Sequence, residues 1–161
     1  MVSDYTIMID TREQLPLWTK STKTQQIMRT KLDTGDYSIL GMEDKICLER
    51  KSGADIVGSV GKGHKRFQKE LARSLELDYF AIIIECTYTA IEEKSFDGGL
   101  HSKMKGDVVN SILNTITTKY KIPVFYCINR VEMKKRVKGL LNAYWKLHKP
   151  KVYTKDECGG V

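Results

Sequence analysis

The chain has 161 residues, which fits a single domain with one hydrophobic core. Hydrophobic residues make up 41% and charged residues 29%, a balance that argues against both an intrinsically disordered chain and an integral membrane protein. The longest apolar run, residues 79–84, is far shorter than the roughly 20 residues of a membrane-spanning helix. The first ten residues do not resemble a secretory signal, so we expect an intracellular protein.

The charge of the chain is unevenly distributed. The net charge is +7; residues 1–100 hold 14 Lys/Arg against 16 Asp/Glu, net −2, and residues 101–161 hold 13 against 4, net +9. A basic segment of this kind suits a polyanionic partner such as nucleic acid, because phosphate contacts release counterions. A solvated lysine-rich surface without such a partner is the alternative that composition leaves open.

The four cysteines do not form a metal-binding pattern. Cys47, Cys86 and Cys127 lie in strand-like runs far apart in the sequence, Cys158 falls near the C-terminus, and there is no CxxC pair. Structural zinc needs closely spaced ligands, so the pattern predicts buried, reduced thiols.

Four short strands are predicted in the first third of the chain. A β-prone run at residues 5–9 ends in a polar cluster, and residues 26–32 alternate loosely before a glycine turn at 33–36. Residues 37–40 and 46–51 then predict a hairpin or meander. Within the last strand, side chains alternate, so Glu49 and Lys51 share one face and Arg50 points to the other.

The remainder of the chain alternates helices with strands. Phe67, Leu71 and Leu75 recur every four residues after Gly63 and predict an amphipathic helix, followed by a buried central strand at residues 79–85. Helices are also predicted at 105–120 and 131–147, with a strand at 124–128 between them. We expect mobile loops at 58–63 and at 95–103. The first loop is rich in glycine but does not fit the P-loop pattern, because Lys62 is followed by Gly63 and not by Ser or Thr.

This order of elements predicts an α/β fold with a mixed central sheet. One domain is expected over residues 1–150, with a short tail over residues 151–161. The predicted helix at 131–147 carries Val137, Leu140, Leu141, Tyr144 and Leu147 on its inward face.

Three charged side chains converge if the strands at 37–40 and 46–51 pair. Asp36 opens the first strand, and Glu49 and Lys51 lie on one face of the second. Hydrolysis of a phosphodiester needs a nucleophilic water and compensation of negative charge, which a divalent cation bound by carboxylates supplies. An acid followed by Glu-x-Lys is weak evidence alone, because a solvated charged strand has the same pattern.

A longer string of residues is more specific. Gly35-Asp36, then Glu49-Arg50-Lys51 and Asp55, resembles the GD…ERKxxxD signature of XPF-type structure-specific endonucleases. Residues 9–13 are similar to the IDxRE segment of that family, and Arg66-Phe67…Glu70-Leu71 and the strand at 82–85 also match. The resemblance extends over roughly residues 5–148, in order.

The resemblance implies a restriction-endonuclease-like three-layer sandwich with helices on both sides of a mixed sheet. It also implies cleavage of flaps, forks or other branched DNA in repair, recombination or replication, with Mg²⁺ or Mn²⁺ as cofactor. The implied metal ligands are Asp36 and Glu49, supported by Asp10, Glu13 and Asp55. The implied catalytic residues are Asp36, Glu49, Lys51, Asp10 and Arg50.

DNA contacts are expected from basic side chains around this site. Arg12, Lys62, Lys65 and Arg66 are the candidates near it. Family members usually carry a helix-hairpin-helix module after the nuclease domain, and the segment after residue 147 is too short for one. We therefore expect either a nuclease that works within a larger assembly or a standalone nuclease. In that case Lys134, Lys135 and Lys138 would form a substitute DNA-binding surface.

Other interpretations remain open at this point. The chain could be a nuclease-fold DNA-binding or scaffold protein without catalysis, or a nuclease that prefers RNA. A homodimer, or a complex with another nuclease-fold protein, is expected by analogy alone, with Tyr144 and Trp145 as candidate contacts. Asp10 and Glu13 could equally form a polar turn. Arg50 is expected to pair with an acid such as Asp55.

Overall fold

A computed structural model describes residues 2–151 of the chain. The six strands are β1 (Thr6–Asp10), β2 (Gln26–Thr30), β3 (Tyr37–Ile39), β4 (Ile46–Ser52), β5 (Tyr79–Glu85) and β6 (Val124–Tyr126). The α-helices are α1 (Gly53–Val60), α2 (His64–Ser74), α3 (Tyr88–Glu93), α4 (Gly106–Tyr120) and α5 (Arg130–His148), and Gly99–His101 forms a 3-10 helix.

The six strands form one mixed sheet in the order β2-β1-β3-β4-β5-β6. β1 is parallel to β2 and antiparallel to β3, and β3 is antiparallel to β4, as expected for the meander. β4, β5 and β6 run parallel, with Glu49 opposite Ile82 and Lys51 opposite Ile84. The central strand β5 is buried on both faces, which accounts for its continuous apolar sequence.

Two hydrophobic clusters cover the two faces of the sheet. On one face, Leu48 and Ile83 pack with Val137 and Leu141 of α5. On the other face, residues of β4 and β5 pack against α1, α2 and α4. The result is a helix–sheet–helix sandwich, and the predicted α/β three-layer class is confirmed.

The structure corrects several predicted elements. No helix was predicted where α1 lies, and its last three residues occupy the first half of the expected loop at 58–63. The helix begins after Ser52, which caps it by accepting a hydrogen bond from Asp55 N at 3.0 Å. Leu75 and Leu147 were predicted to face the core, but they lie at helix ends and are exposed. The segment at 95–103 contains the 3-10 helix, with Gly99 buried.

Other predictions concern single residues. Tyr144 is buried, and Trp145 is partly buried and packs on Tyr5 with ring centroids 5.7 Å apart, so both aromatic side chains contribute to the core. Cys47, Cys86 and Cys127 are buried free thiols, as predicted. Cys158 and most of the predicted tail lie outside the described residues. Within residues 2–151, no helix is both long and apolar enough to cross a membrane.

Candidate active site

An open cleft of about 490 Å³ lies at the end of the meander, between the sheet and helices α1 and α2. β3 and β4 bring Asp36, Glu49 and Lys51 to this cleft, as the sequence predicted. Helix α2 adds Phe67 and Glu70 from the other side. The cleft therefore joins acidic, basic and apolar groups from β3, β4 and α2.

Gly35 places Asp36 next to β4. Its φ of +77° lies in the left-handed region, and a Cβ there would stand 3.0 Å from Cys47 Cβ. The backbone can therefore approach β4 closely, and Asp36 N donates to Leu48 O at 2.8 Å. The Arg50 N–H in turn donates to Asp36 Oδ2 at 2.9 Å, which fixes the carboxylate against the strand.

Glu49 and Lys51 form an ion pair on the face of β4 that borders the cleft. Lys51 Nζ lies 2.9 Å from Glu49 Oε1, and both side chains are nearly buried, with exposures of 10% and 12% for Lys51 and Glu49. The Lys51 ammonium also lies 5.2 Å from the centre of the Phe67 ring, which favours the cation. Alternation along β4 explains why residues 49 and 51 meet here.

The two carboxyls at this site are held in an environment that disfavours their charge. Burial raises the pKa of Asp36 to about 7, against the smaller opposing effect of its bond from Arg50 N. Burial, together with the negative charge of Asp36, raises the pKa of Glu49 well above its usual range. Burial alone would lower the pKa of Lys51, but Glu49, Glu70 and Asp36 raise it. A single ammonium thus faces several acids.

This donor set fits a hard divalent cation. Mg²⁺ in proteins takes one or two carboxylates and keeps water and substrate phosphate as its other ligands. Asp36 and Glu49 supply two adjacent carboxylates whose mutual repulsion a cation would relieve. Among residues 2–151, no group of three or more His, Cys, Asp or Glu side chains is arranged to hold a metal ion. The five-carboxylate set expected from the sequence is therefore not assembled.

Glu70 is a site residue that the sequence analysis did not assign. Its carboxyl interacts with that of Glu49 and contributes to the raised pKa of the latter. It also borders the cleft and a smaller adjoining cavity that contains Asp10 and Asp36. Helical spacing could have identified Glu70, because it lies one turn after Phe67 and therefore on nearly the same face of α2.

Asp10 is occupied by a local hydrogen-bond network. Its Oδ1 accepts from Arg12 N at 2.7 Å and Arg12 Nε at 2.8 Å, and its Oδ2 accepts from Leu32 N at 2.8 Å and Arg12 Nη2 at 3.0 Å. Burial would raise the pKa of Asp10, but these bonds lower it. In this structure Asp10 orients Arg12, which borders the cleft, and does not offer a free oxygen as a ligand.

Glu13 pairs with Arg50 and not with a metal-binding carboxylate group. The Arg50 guanidinium forms two bonds to the Glu13 carboxylate, at 2.8 and 2.9 Å, and Leu15 N donates to Glu13 Oε1 at 3.0 Å. These bonds outweigh the effect of burial and lower the pKa of Glu13. The expected pairing of Arg50 with Asp55 is wrong, since Asp55 is exposed at the N-terminus of α1.

The predicted DNA-binding residues fall into two groups. Arg12 and Arg66 border the cleft, Lys62 borders a neighbouring cavity, and Lys65 is exposed on α2. Lys134, Lys135 and Lys138 lie on α5, in the layer on the opposite face of the sheet, and Lys134 Nζ covers the Trp18 ring at 5.2 Å. The structure does not bring these three lysines to the cleft.

The comparisons with known proteins agree with this architecture. The structure is similar to that of XPF from Aeropyrum pernix, with a TM-score of 0.68 and 17% identity over 93% of this chain and 67% of that one. For a second structure, of XPF from Aeropyrum pernix in complex with DNA, the TM-score is 0.61 and the identity 18%, over 92% of this chain and 68% of that one. A comparison with curated proteins gave no significant match.

A family model adds a match in sequence to this match in fold. The model of the ERCC4 domain matches residues 9–138, which include every group identified in the cleft. The chain belongs to the ERCC4 domain family.

Proposed function

We propose that this protein is a divalent-metal-dependent endonuclease that cuts branched DNA. The observation that carries the proposal is the pair of partly buried carboxylates, Asp36 and Glu49, beside the Lys51 ammonium in an open cleft. Membership of the ERCC4 domain family and the XPF-like fold support a DNA endonuclease. Asp36, Glu49 and Lys51 all border one cleft, which argues against a merely solvated charged strand.

Asp36 and Glu49 would hold Mg²⁺ or Mn²⁺. When bound, such an ion activates water and offsets the negative charge that develops on the phosphate. The Arg50 N–H orients the Asp36 carboxylate toward the cleft. Glu70 interacts with Glu49 and would add negative charge beside the two carboxylates that hold the ion.

Lys51 would act as a cation and not as a general base. Its pKa is raised by the surrounding acids, so it stays protonated at neutral pH. A protonated lysine can donate to a phosphate oxygen or orient the attacking water, but it cannot accept the proton from that water. Its position over Phe67 limits the directions in which the ammonium can point.

The acids of the cleft, Asp36, Glu49 and Glu70, would repel the phosphates of DNA, so basic groups are needed at its border. Arg12 and Arg66 border the cleft and would contact the phosphate backbone. One of the similar XPF structures is in complex with DNA, which supports the same class of substrate here. We extend the proposal to flap, fork or junction DNA in repair, recombination or replication, and such a substrate implies an intracellular location.

A homodimer or a nuclease-fold partner completes the proposal. Ile128 and Val131 are 69% and 64% exposed at the β6–α5 junction, and they offer a small apolar surface for a partner. Sedimentation of the wild-type protein and of an Ile128→Asp variant measures the association. We expect a smaller species for the variant if this surface forms the contact.

The test of the catalytic proposal is cleavage of end-labelled flap, fork, Holliday-junction and plain duplex DNA in Mg²⁺. Wild type is compared with Asp36→Asn and Lys51→Ala, and each substitution should lower the rate by about a thousandfold or more, since loss of a charge-stabilising group costs roughly 4 kcal/mol in such sites. Lys146→Ala, on the opposite layer, is the control for loss of a positive charge.

Two outcomes would redirect the assignment. If no DNA is cut while binding in chelator is intact, the protein is a scaffold or a DNA-binding module. If a matched RNA is cut in preference to DNA, the substrate class is wrong and the site is that of an RNA nuclease.

A further inference from the structure

A second cavity, of about 530 Å³, adjoins the candidate active site. It lies between α1 and the segment that contains the 3-10 helix Gly99–His101. Ala54 and Gly58 line both this cavity and the active-site cleft. The two spaces are therefore separated only by the outer face of α1.

The lining of this cavity combines an apolar wall with positive charge. Val57, Phe96 and Met104 supply the apolar side chains, and Phe96 also packs closely over Gly53, the first residue of α1. Lys62 and Lys103 supply the positive charge, and none of the lining residues is acidic. This composition differs from that of the neighbouring cleft, where Asp36 and Glu49 dominate.

Between the two spaces, α1 presents almost no side chain. Gly58 lies in the helix interior, where glycine is less favourable than alanine, yet a Cβ at this position would meet no atom within 4 Å. Internal packing therefore does not require glycine here. Ala54, one turn earlier, is also small, so the outer face of α1 has almost no projecting side chain here. Another chain can therefore cross this face from the cavity to the active-site cleft.

We propose that this cavity binds an unpaired nucleotide of the DNA, next to the phosphate held in the cleft. The proposal rests on the proposed nuclease function and deepens it by assigning the place where an unpaired nucleotide beside the scissile bond would bind. An extruded base stacks on or packs against apolar and aromatic side chains, while lysines contact its phosphates. A basic rim around an apolar wall has both properties, and the volume is in the range of small-ligand sites.

Duplex DNA alone does not fit this arrangement equally well. In a duplex the bases are stacked and paired, so the apolar wall could contact a base only after the base had been flipped out, which costs energy. An unpaired arm presents its bases without that cost. The cavity thus gives the enzyme a physical reason to prefer a junction between duplex and single strand.

The first test measures affinity in EDTA, so that cleavage cannot interfere. Fluorescence anisotropy gives the Kd of a blunt duplex and of the same duplex with an unpaired arm of six thymidylates. We expect the arm to tighten binding about tenfold or more, the effect of one or two stacked bases. The affinity ratio, the Kd of the blunt duplex divided by that of the duplex with the arm, should fall towards one in the double variant Lys62→Glu/Lys103→Glu. The control Lys20→Glu/Lys146→Glu has the same change in charge and should keep the wild-type ratio.

The second test uses the open face of α1. Gly58→Gln places a side chain between the cavity and the cleft and should lower the same affinity ratio, whereas the matched Gly58→Ala should keep it and raise the unfolding temperature. Because Ala and Gln are both better helix formers than Gly, a folding defect does not explain a lower ratio. Unfolding temperatures of both variants confirm that they are folded.

The outcomes separate this inference from the nuclease proposal. The nucleotide site is overturned if wild type binds both DNAs equally well, or if the control Lys20→Glu/Lys146→Glu loses the affinity ratio as much as Lys62→Glu/Lys103→Glu does. Either result holds even if the protein cuts DNA in Mg²⁺. Conversely, an affinity ratio that depends on Lys62, Lys103 and Gly58 supports the site even if cleavage fails. Crosslinking of 5-iododeoxyuridine in the arm to Phe96 or Met104 would locate the base in the cavity.

Discussion

Two acid–base pairs on neighbouring residues of β4 have opposite properties. Arg50 binds the Glu13 carboxylate through two hydrogen bonds, and the pKa of Glu13 is lowered. Lys51 binds Glu49 through one contact, and burial and the adjacent Asp36 raise the pKa of Glu49. Both pairs are nearly buried, so exposure to solvent does not explain the difference.

The difference lies in how many acids share each cation. The Arg50 fork forms two hydrogen bonds to the Glu13 carboxylate, and Leu15 N supplies a further donor to it. The second acid near Arg50, Glu85, is 3.9 Å away and also lies 4.0 Å from Arg130. Lys51 is a compact charge that faces Glu49, Asp36 and Glu70 together. A carboxylate that accepts two short bonds from a guanidinium stabilises the fold, whereas a group of acids with too little positive charge is suited to bind a cation from solution.

The largest effect on stability is expected when the Glu13–Arg50 pair is broken. Glu13→Gln removes the negative charge that faces the nearly buried Arg50 guanidinium and leaves it with the looser 3.9 Å contact to Glu85, which costs about 3–5 kcal/mol. Chemical denaturation followed by circular dichroism measures this loss. Asp44→Asn is the control, because Asp44 forms only an exposed 3.7 Å contact with Lys45 and should change stability by less than about 1 kcal/mol.

An equal stability of Glu13→Gln and Asp44→Asn would show that the Glu13–Arg50 pair does not stabilise the fold. In that case the contrast between the two pairs of β4 would have no energetic basis, and Glu13 would return as a candidate ligand.

A smaller loss is expected at the glycine that positions Asp36. Gly35→Ala combines a φ of +77° with a Cβ only 3.0 Å from Cys47 Cβ, and should cost roughly 2–4 kcal/mol. Gly41→Ala is a matched control, since its φ is +81° but no atom lies within 4 Å of the added Cβ. It should cost only about 1–2 kcal/mol. Equal losses would mean that close approach to β4 is not what requires Gly35.

The third prediction is a gain in stability when an acid is removed from the site. Asp36→Asn keeps an acceptor for Arg50 N but has no charge, so without divalent ions it should be about 1–3 kcal/mol more stable than wild type at pH 8. Denaturation between pH 5 and pH 8 in EDTA gives the pH dependence.

The sign follows from the raised pKa of Asp36. Its usual pKa of 3.8 applies to the unfolded chain, and its pKa in the folded protein is about 7. Protonation of Asp36 favours the folded state, so the contribution of Asp36 to stability falls as the pH rises from about 4 and levels off above about 7. The advantage of Asp36→Asn should therefore grow from pH 5 to pH 8. An advantage that shrinks over this range would contradict the assignment.

Much of the fold followed from local patterns in the sequence. Alternation of Glu49, Arg50 and Lys51 placed the correct side chains on each face of β4, and the glycine turn before Asp36 predicted the strand pairing. The stripe ending at Tyr120 predicted α4 almost to the residue, because the apolar positions recur with helical spacing and Pro123 limits the C-terminal end. Such features depend on neighbours in the sequence.

The missed features depend on contacts between distant segments. Glu13 and Arg50 are 37 residues apart, and nothing in the local pattern favoured Glu13 over Asp55 as the partner of Arg50. Gly58 obscured α1, since an interior glycine lowers helix propensity. The separation of Lys134 from the cleft follows from the layer that α5 occupies, which composition does not specify.

The central claim is that Asp36 and Glu49, and not Asp10 and Glu13, form the metal site. Calorimetric titration of Mn²⁺ at pH 8 into wild type, Asp36→Asn/Glu49→Gln and Asp10→Asn tests it directly. The double variant should lose at least about 100-fold in affinity, and Asp10→Asn no more than about tenfold, as for an outer-shell group. Wild-type affinity should also increase from pH 6 to pH 8, because protons compete for the Asp36 carboxylate. Unchanged binding in the double variant, or complete loss in Asp10→Asn, would contradict this assignment.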